Sequence, residues 1–283
     1  MAVKRHPGKD SSRLLDSRLQ RKRRPHKRAR ATTGKGRKLQ FRWATAITPE
    51  QWRTYRNAIE AVRSASVPFM LGGGFALATY TGRWRDTKDI DLYIHPQDRE
   101  RTIAALTRAG FRDYYDTLPY DRKWIYRSTK DDFIVDIIWA MANQRARVDQ
   151  VWFERAATIV IREENLKVLP MEEFMWCKLY IMQRDHCDWT DLFNLLYANA
   201  RQVNWDHLLQ RIDEDTPLLR ALLEVFGWLC PAACGRLPAS LWRRLGMRQP
   251  RPPRGQFRRN HIPLLDSRGW FAALQPLGKK LEI

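Results

Sequence analysis

"LGGGFALATYTGRWRDTKDIDLYI", residues 71–94, holds three glycines after an apolar run and, some fifteen residues later, two aspartates alternating with isoleucine and leucine. Successive side chains of a strand point to opposite faces, so Asp89, Asp91 and Tyr93 share one face while Ile90, Leu92 and Ile94 share the other. The second set is a core face. The two aspartates lie opposite it, roughly 7 Å apart by strand rise. At that separation they can ligate one divalent cation or two neighbouring ones.

A third acid stands alone in the apolar run "FIVDIIW", where Asp136 is flanked by valine and isoleucine. A buried carboxylate without a partner is costly, so one is expected. Three carboxylates on two strands repel unless a cation lies among them, and all-oxygen ligands of this kind suit Mg²⁺ or Mn²⁺. The competing explanation is that these acids cap turns or pair with Arg83, Arg85 or Arg127. Gly72, Gly73 and Gly74 allow close backbone approach and open onto a helix N-terminus, the combination that phosphates bind. The spacing is neither GxGxxG nor Walker A, which argues against dinucleotide-binding and P-loop folds.

Around this stretch the expected elements are a helix over 49–63, a strand over 67–71, a helix over 75–82 stopped by Gly82, a strand over 89–94 and a helix over 96–110. Two hairpins follow: 122–128 with 132–140, turning at Thr129–Asp132, then 157–161 with 166–170, turning at Glu163–Asn165. After Pro170 the pattern becomes helical, over 171–184, 188–199, 204–212 and 216–229. The expected class is α/β. A mixed-sheet domain (43–169) precedes a helical domain (170–245), with a basic disordered tail at 1–42 and a basic extended arm at 246–283.

Gly73-Gly74, a slightly long spacer, Thr87-x-Asp89-Ile90-Asp91-Leu92 and a later strand acid, Asp136, together resemble the nucleotidyltransferase superfamily. That is the fold of DNA polymerase beta, of antibiotic-modifying nucleotidyltransferases and of abortive-infection toxins. The resemblance covers about 70–190. It is nearest to small bacterial members, including toxin-like ones with an R-x-T-x-D-I-D segment, here Arg85 to Asp91. It implies that Asp89 and Asp91 bind the metal holding an NTP such as ATP, that Asp136 joins them on a second metal and helps deprotonate the acceptor hydroxyl, and that Gly73 and Gly74 contact the phosphates. Thr87 belongs to the same motif. The resemblance also has a Lys where Lys178 falls, on the apolar stripe of Phe174, Cys177 and Ile181, and so directs it to a phosphate rather than to solvent. Arg83 and Arg85, just before the metal strand, are within reach of the triphosphate. Asp185, Asp188 and Asp191 are expected on one side of a helix start, as caps and dipole partners.

The formal net charge of +20 is unevenly spread. Residues 1–42 carry +14, residues 246–283 carry +6, and residues 43–245 are neutral. Attraction to polyanions is thus a property of the tails, which points to RNA, for instance tRNA, as a tail contact or acceptor, while the neutral core points to a small molecule or a protein side chain as acceptor. The four cysteines include no CxxC pair, so buried thiols in a reducing compartment are expected over a zinc site at Cys177, His186 and Cys187. Without an apolar leader or a span of about 18 apolar residues, a cytoplasmic protein free of the membrane is expected. The alternative to an enzyme is a silent RNA-binding or adaptor protein that keeps the fold without the chemistry.

Overall fold

Thr48 starts the first long helix, α1 (Pro49–Ser64), by accepting a hydrogen bond from the Gln51 N–H, with Pro49 in the first turn where no N–H is needed. Trp52, Tyr55, Ile59 and Val62 form its buried face, as their helical spacing predicts. The computed structural model describes residues 41–250, 261–271 and 274. The expected disordered tail therefore lies almost wholly outside the described residues, as does much of the expected C-terminal arm. Near the start of the described residues a short 3-10 turn, Arg42–Ala46, buries Trp43 and Ala44.

Among the described residues the sheet has seven strands, in the order β3-β4-β5-β2-β1-β7-β6. They are β1 (Phe69–Leu71), β2 (Asp89–Ile94), β3 (Arg112–Asp113), β4 (Ile125–Lys130), β5 (Phe133–Ile138), β6 (Ala157–Ile161) and β7 (Glu164–Val168). β2 runs antiparallel to β1 but parallel to β5, so the sheet is mixed. The α/β class expected from the sequence is the one observed. The remaining helices are α2 (Gly73–Thr81), α3 (Arg99–Arg108), α4 (Gln150–Arg155), α5 (Met171–Leu179), α6 (Trp189–Asn199), α7 (Trp205–Ile212), α8 (Thr216–Leu229) and α9 (Ala239–Arg244). α2 ends at Gly82, whose φ of +70° closes the helix in the left-handed region. α5 packs against α2, α6 and α7 and is buried along its whole length, which joins the sheet to the helical half. The described residues all fall within one compact unit. No helix among the described residues is long and apolar enough to cross a membrane.

Several expected boundaries differ. Both hairpins close through two-residue turns, Asp131-Asp132 and Arg162-Glu163, all four residues having positive φ. Such turns match strand twist but favour Gly, Asn and Asp, so Arg162-Glu163 carries no sequence signal. The strand expected over 122–128 instead spans Ile125–Lys130. The helix expected over 171–184 stops at Leu179, whose carbonyl accepts from Trp189 Nε1, and the chain doubles back so that Met182 bridges Cys187.

Candidate functional site

The parallel register of β2 and β5 sets Asp91 directly beside Asp136. The antiparallel register of β5 and β4 sets Arg127 on the far side of Asp136. One row across three strands thus reads Asp91, Asp136, Arg127, with Asp89 two residues along on the same face. The next row, Tyr93, Ile138 and Ile125, forms an apolar floor, and both rows line a cleft of 830 Å³. On the reverse face Ile90, Leu92, Val135 and Ile137 are fully buried, which anchors the row.

The glycine turn runs along the edge of this row, and the Gly72 N–H donates to the Asp91 carbonyl (2.9 Å). Gly73 has a φ of +45°, and a Cβ there would overlap the Asp91 carboxylate. A Cβ at Gly72 would overlap the Tyr93 ring. The glycines are therefore required by backbone conformation and by proximity to the acids. Gly73→Ala is expected to lower stability by about 2 kcal/mol from backbone strain alone and to displace Asp91. Denaturant unfolding with an NTP-binding titration checks both, and unchanged binding would separate the turn from the site.

Asp91 is pushed up to about 8, by burial first and then by the charges of Asp89 and Asp136, with Lys178 and Arg127 opposing. Asp136 is also raised, mainly by burial, and its Arg127 partner pulls the other way. That partner holds it bidentately: Arg127 Nε donates to Oδ1 (2.8 Å) and Nη2 to Oδ2 (2.6 Å). Asp89 contacts the Thr87 hydroxyl, whose backbone carbonyl accepts from Gln51 on α1.

Eight of the ten residues singled out in the sequence line the one cleft: Gly73, Gly74, Arg85, Thr87, Asp89, Asp91, Asp136 and Lys178. Gly72 packs behind it. Arg83 turns away and donates to the Trp270 carbonyl (2.9 Å). Lys178 is in the cleft but compensated: its Nζ contacts Asp188 and lies 3.0 Å from Asp191. Burial would lower its pKa, yet the two carboxylates outweigh this and the net direction is up. Asp188 stands at the start of α6 without a side-chain capping bond, so its expected role as a cap gives way to the pair with Lys178. Asp185 is exposed, apart from the other two. Cys177 is buried and Cys187 exposed.

Sequence reasoning weighed Arg127 only as one of several partners. With the turn at Asp131-Asp132, the hairpin register brings it opposite Asp136, so the turn was the missing signal. Trp124 and Tyr180, which carried no signal in the sequence, and His186, weighed there only as a zinc ligand, also line the cleft. His186 Nε2 is 2.9 Å from Asp188 Oδ1.

Oxygen donors at Asp89 and Asp91 fit a hard divalent cation, whose charge would offset the burial and neighbouring carboxylates that raise Asp91. Among the described residues, no three acidic, histidine or cysteine side chains are grouped closely enough to hold an ion. Both oxygens of Asp136 are taken by Arg127.

No curated protein matches the sequence. Similar solved structures include the antibiotic-resistance factor ANT(2'')-Ia, at 18% identity over 62% of this chain and 89% of that one, with a TM-score of 0.37. The lincosamide antibiotic adenylyltransferase LnuA in its lincomycin-bound form is similar at 14% identity, over 53% and 94%, with a TM-score of 0.37. JHP933 from Helicobacter pylori is similar at 16%, over 63% and 79%, with a TM-score of 0.36. Residues 40–230, well over half of the chain, match the family described as uncharacterised nucleotidyltransferase, and the chain belongs to that family of transferase enzymes.

Proposed function

We propose that the protein transfers an NMP from an NTP to an acceptor hydroxyl in the 830 Å³ cleft, with Asp89, Asp91 and Asp136 as its catalytic acids. The observation that carries this reading is the row of Asp91 and Asp136 on adjacent parallel strands, with the Gly73 turn against Asp91. The hydroxyl oxygen bonds to the α-phosphorus as the α–β bridging P–O bond breaks. Pyrophosphate leaves with that electron pair, and the hydroxyl proton passes to an Asp136 carboxylate oxygen. Mg²⁺ or Mn²⁺, when bound, would neutralise the triphosphate and polarise the transferred phosphoryl group. Asp89 and Asp91 would hold it. Asp136 would join them once Arg127 moves from its carboxylate to a phosphate oxygen, an exchange between two forked acceptors that guanidinium serves equally well. Gly73 and Gly74 would offer backbone N–H groups to the phosphates, and Thr87 would orient Asp89.

The test incubates the protein, Mg²⁺ and each α-labelled NTP with a cell extract and follows the label into RNA, protein and small molecules. Label in one fraction, reduced at least about a hundredfold by Asp89→Asn, is the expected result and names the acceptor class. NTP binding with no label in any fraction would leave a silent adaptor.

A further inference from the structure

A second cavity of 360 Å³ lies between α2, the loop that follows it, the start of α6 and the segment from Asp266 to Trp270. Arg83, Trp84, Arg85 and Trp270 stand in its wall, and Arg85 also borders the catalytic cleft. The two spaces therefore adjoin at one arginine. Outward from the cavity, cations and rings alternate. Arg83 is bonded to Trp270, and the next residue, Phe271, stacks on Tyr197 with ring centroids 4.2 Å apart and planes within 4°. The Arg236 guanidinium lies 4.8 Å over the same Tyr197 ring and donates to its carbonyl (2.6 Å).

The charge along this strip is net positive. Arg83, Arg85 and Arg236 are exposed. Among the described residues neither Arg83 nor Arg236 has a carboxylate partner, and Arg85 has only a 3.5 Å approach to Asp191, already paired with Lys178. Both acids in the cavity wall are paired, Asp191 with Lys178 and Asp266 with Arg268. Forked guanidinium groups spaced along a surface suit successive phosphodiesters, and interleaved rings suit unstacked bases. A small acceptor would need only the cleft, and an acidic peptide would make no use of the rings.

We propose that this strip binds the end of a single-stranded polynucleotide and delivers its 3′-hydroxyl past Arg85 into the cleft as the acceptor. This rests on the transfer reading above. Phosphates lie on Arg236, Arg83 and Arg85, and one base enters the second cavity against Trp270. The 3′-oxygen forms the new bond to the α-phosphorus and pyrophosphate departs, so the strand grows by one nucleotide.

The test uses the full chain and a fluorescein-labelled pool of randomised single-stranded RNA 12-mers with free 3′-hydroxyls, followed by anisotropy in EDTA over a range of KCl. The pair Arg83→Ala and Arg236→Ala together is compared with Arg53→Ala and Arg56→Ala together, which remove equal charge from the exposed side of α1. The strip variant is expected to bind at least about tenfold more weakly, with a log–log salt slope smaller by about two. The α1 variant should bind as the unmodified protein does, and polyglutamate of equal charge should compete poorly. Equal losses in the two variants, or equal competition by polyglutamate, would overturn the proposal by reducing the strip to general charge. The same pool with Mg²⁺ and labelled NTP should be extended, and a 3′-blocked pool should bind without extension. Label on small molecules with none on the pool would overturn the polynucleotide acceptor and leave the transfer reading standing. Absence of label from every acceptor would instead sink the transfer reading, whatever the anisotropy gives.

Discussion

Asparagine at position 91 is expected to raise the melting temperature of the divalent-free protein and to end nucleotidyl transfer. Asp91 sits between Asp89 and Asp136, and its folded-state pKa is raised from 3.8 to about 8, by burial before charge. Between those values the folded state binds more protons than the unfolded chain. Stability therefore falls as pH rises through that window and levels off above it. Asp91→Asn removes the titration and one repelling charge. At pH 8 it should melt about 3–6 °C higher than the unmodified protein, an effect of one to two kcal/mol in a chain of this size. At pH 5 the two should nearly coincide. Mg²⁺ should raise the melting temperature of the unmodified protein at pH 8 and leave the variant unmoved, while transfer falls at least about a hundredfold. Thermal melts at both pH values, with and without Mg²⁺, settle the matter. A variant that melts lower at pH 8 would mean that the carboxylate supports the fold rather than burdening it.

Methionine in place of Lys178 should have the opposite character, a large loss of stability. The Lys178 ammonium compensates Asp188 and Asp191, whose side chains are 5% and 6% exposed. Removing one partner of a buried ionic cluster leaves the others uncompensated, at a cost of about 3–5 kcal/mol. Lys178→Met should therefore unfold at markedly lower denaturant, and adding Asp188→Asn with Asp191→Asn should recover most of the difference. Unchanged unfolding with loss of NTP binding would show a lysine free to serve a phosphate, as the family resemblance alone implies.

The shared row of acids was legible in the sequence because each argument about it is local. Alternation over Asp89–Ile94 places two carboxylates opposite a core face, and an acid inside "FIVDIIW" demands a partner. α1 was legible for the same reason, with Thr48 and Pro49 at its start and four large apolar residues on one stripe. The end of α5 was not. Residues 180–184 continue an acceptable helical pattern, but the chain must turn back for Asp188 to reach Lys178, ten residues away in sequence. The turn at Arg162-Glu163 was hidden because neither residue favours the conformation it adopts.

The sequence by itself determined which residues share a face: Asp89 with Asp91, and Ile90 with Leu92. Those relations follow from backbone geometry with a period of two, and they hold wherever the strand is placed. The tertiary structure alone decided the partners. It set Asp91 beside Asp136 across 45 residues of chain, gave Asp136 to Arg127 and turned Arg83 toward Trp270. Which cation meets which carboxylate depends on strand order and on the water excluded around the pair. Both arise only when distant segments pack, so no local pattern encodes them.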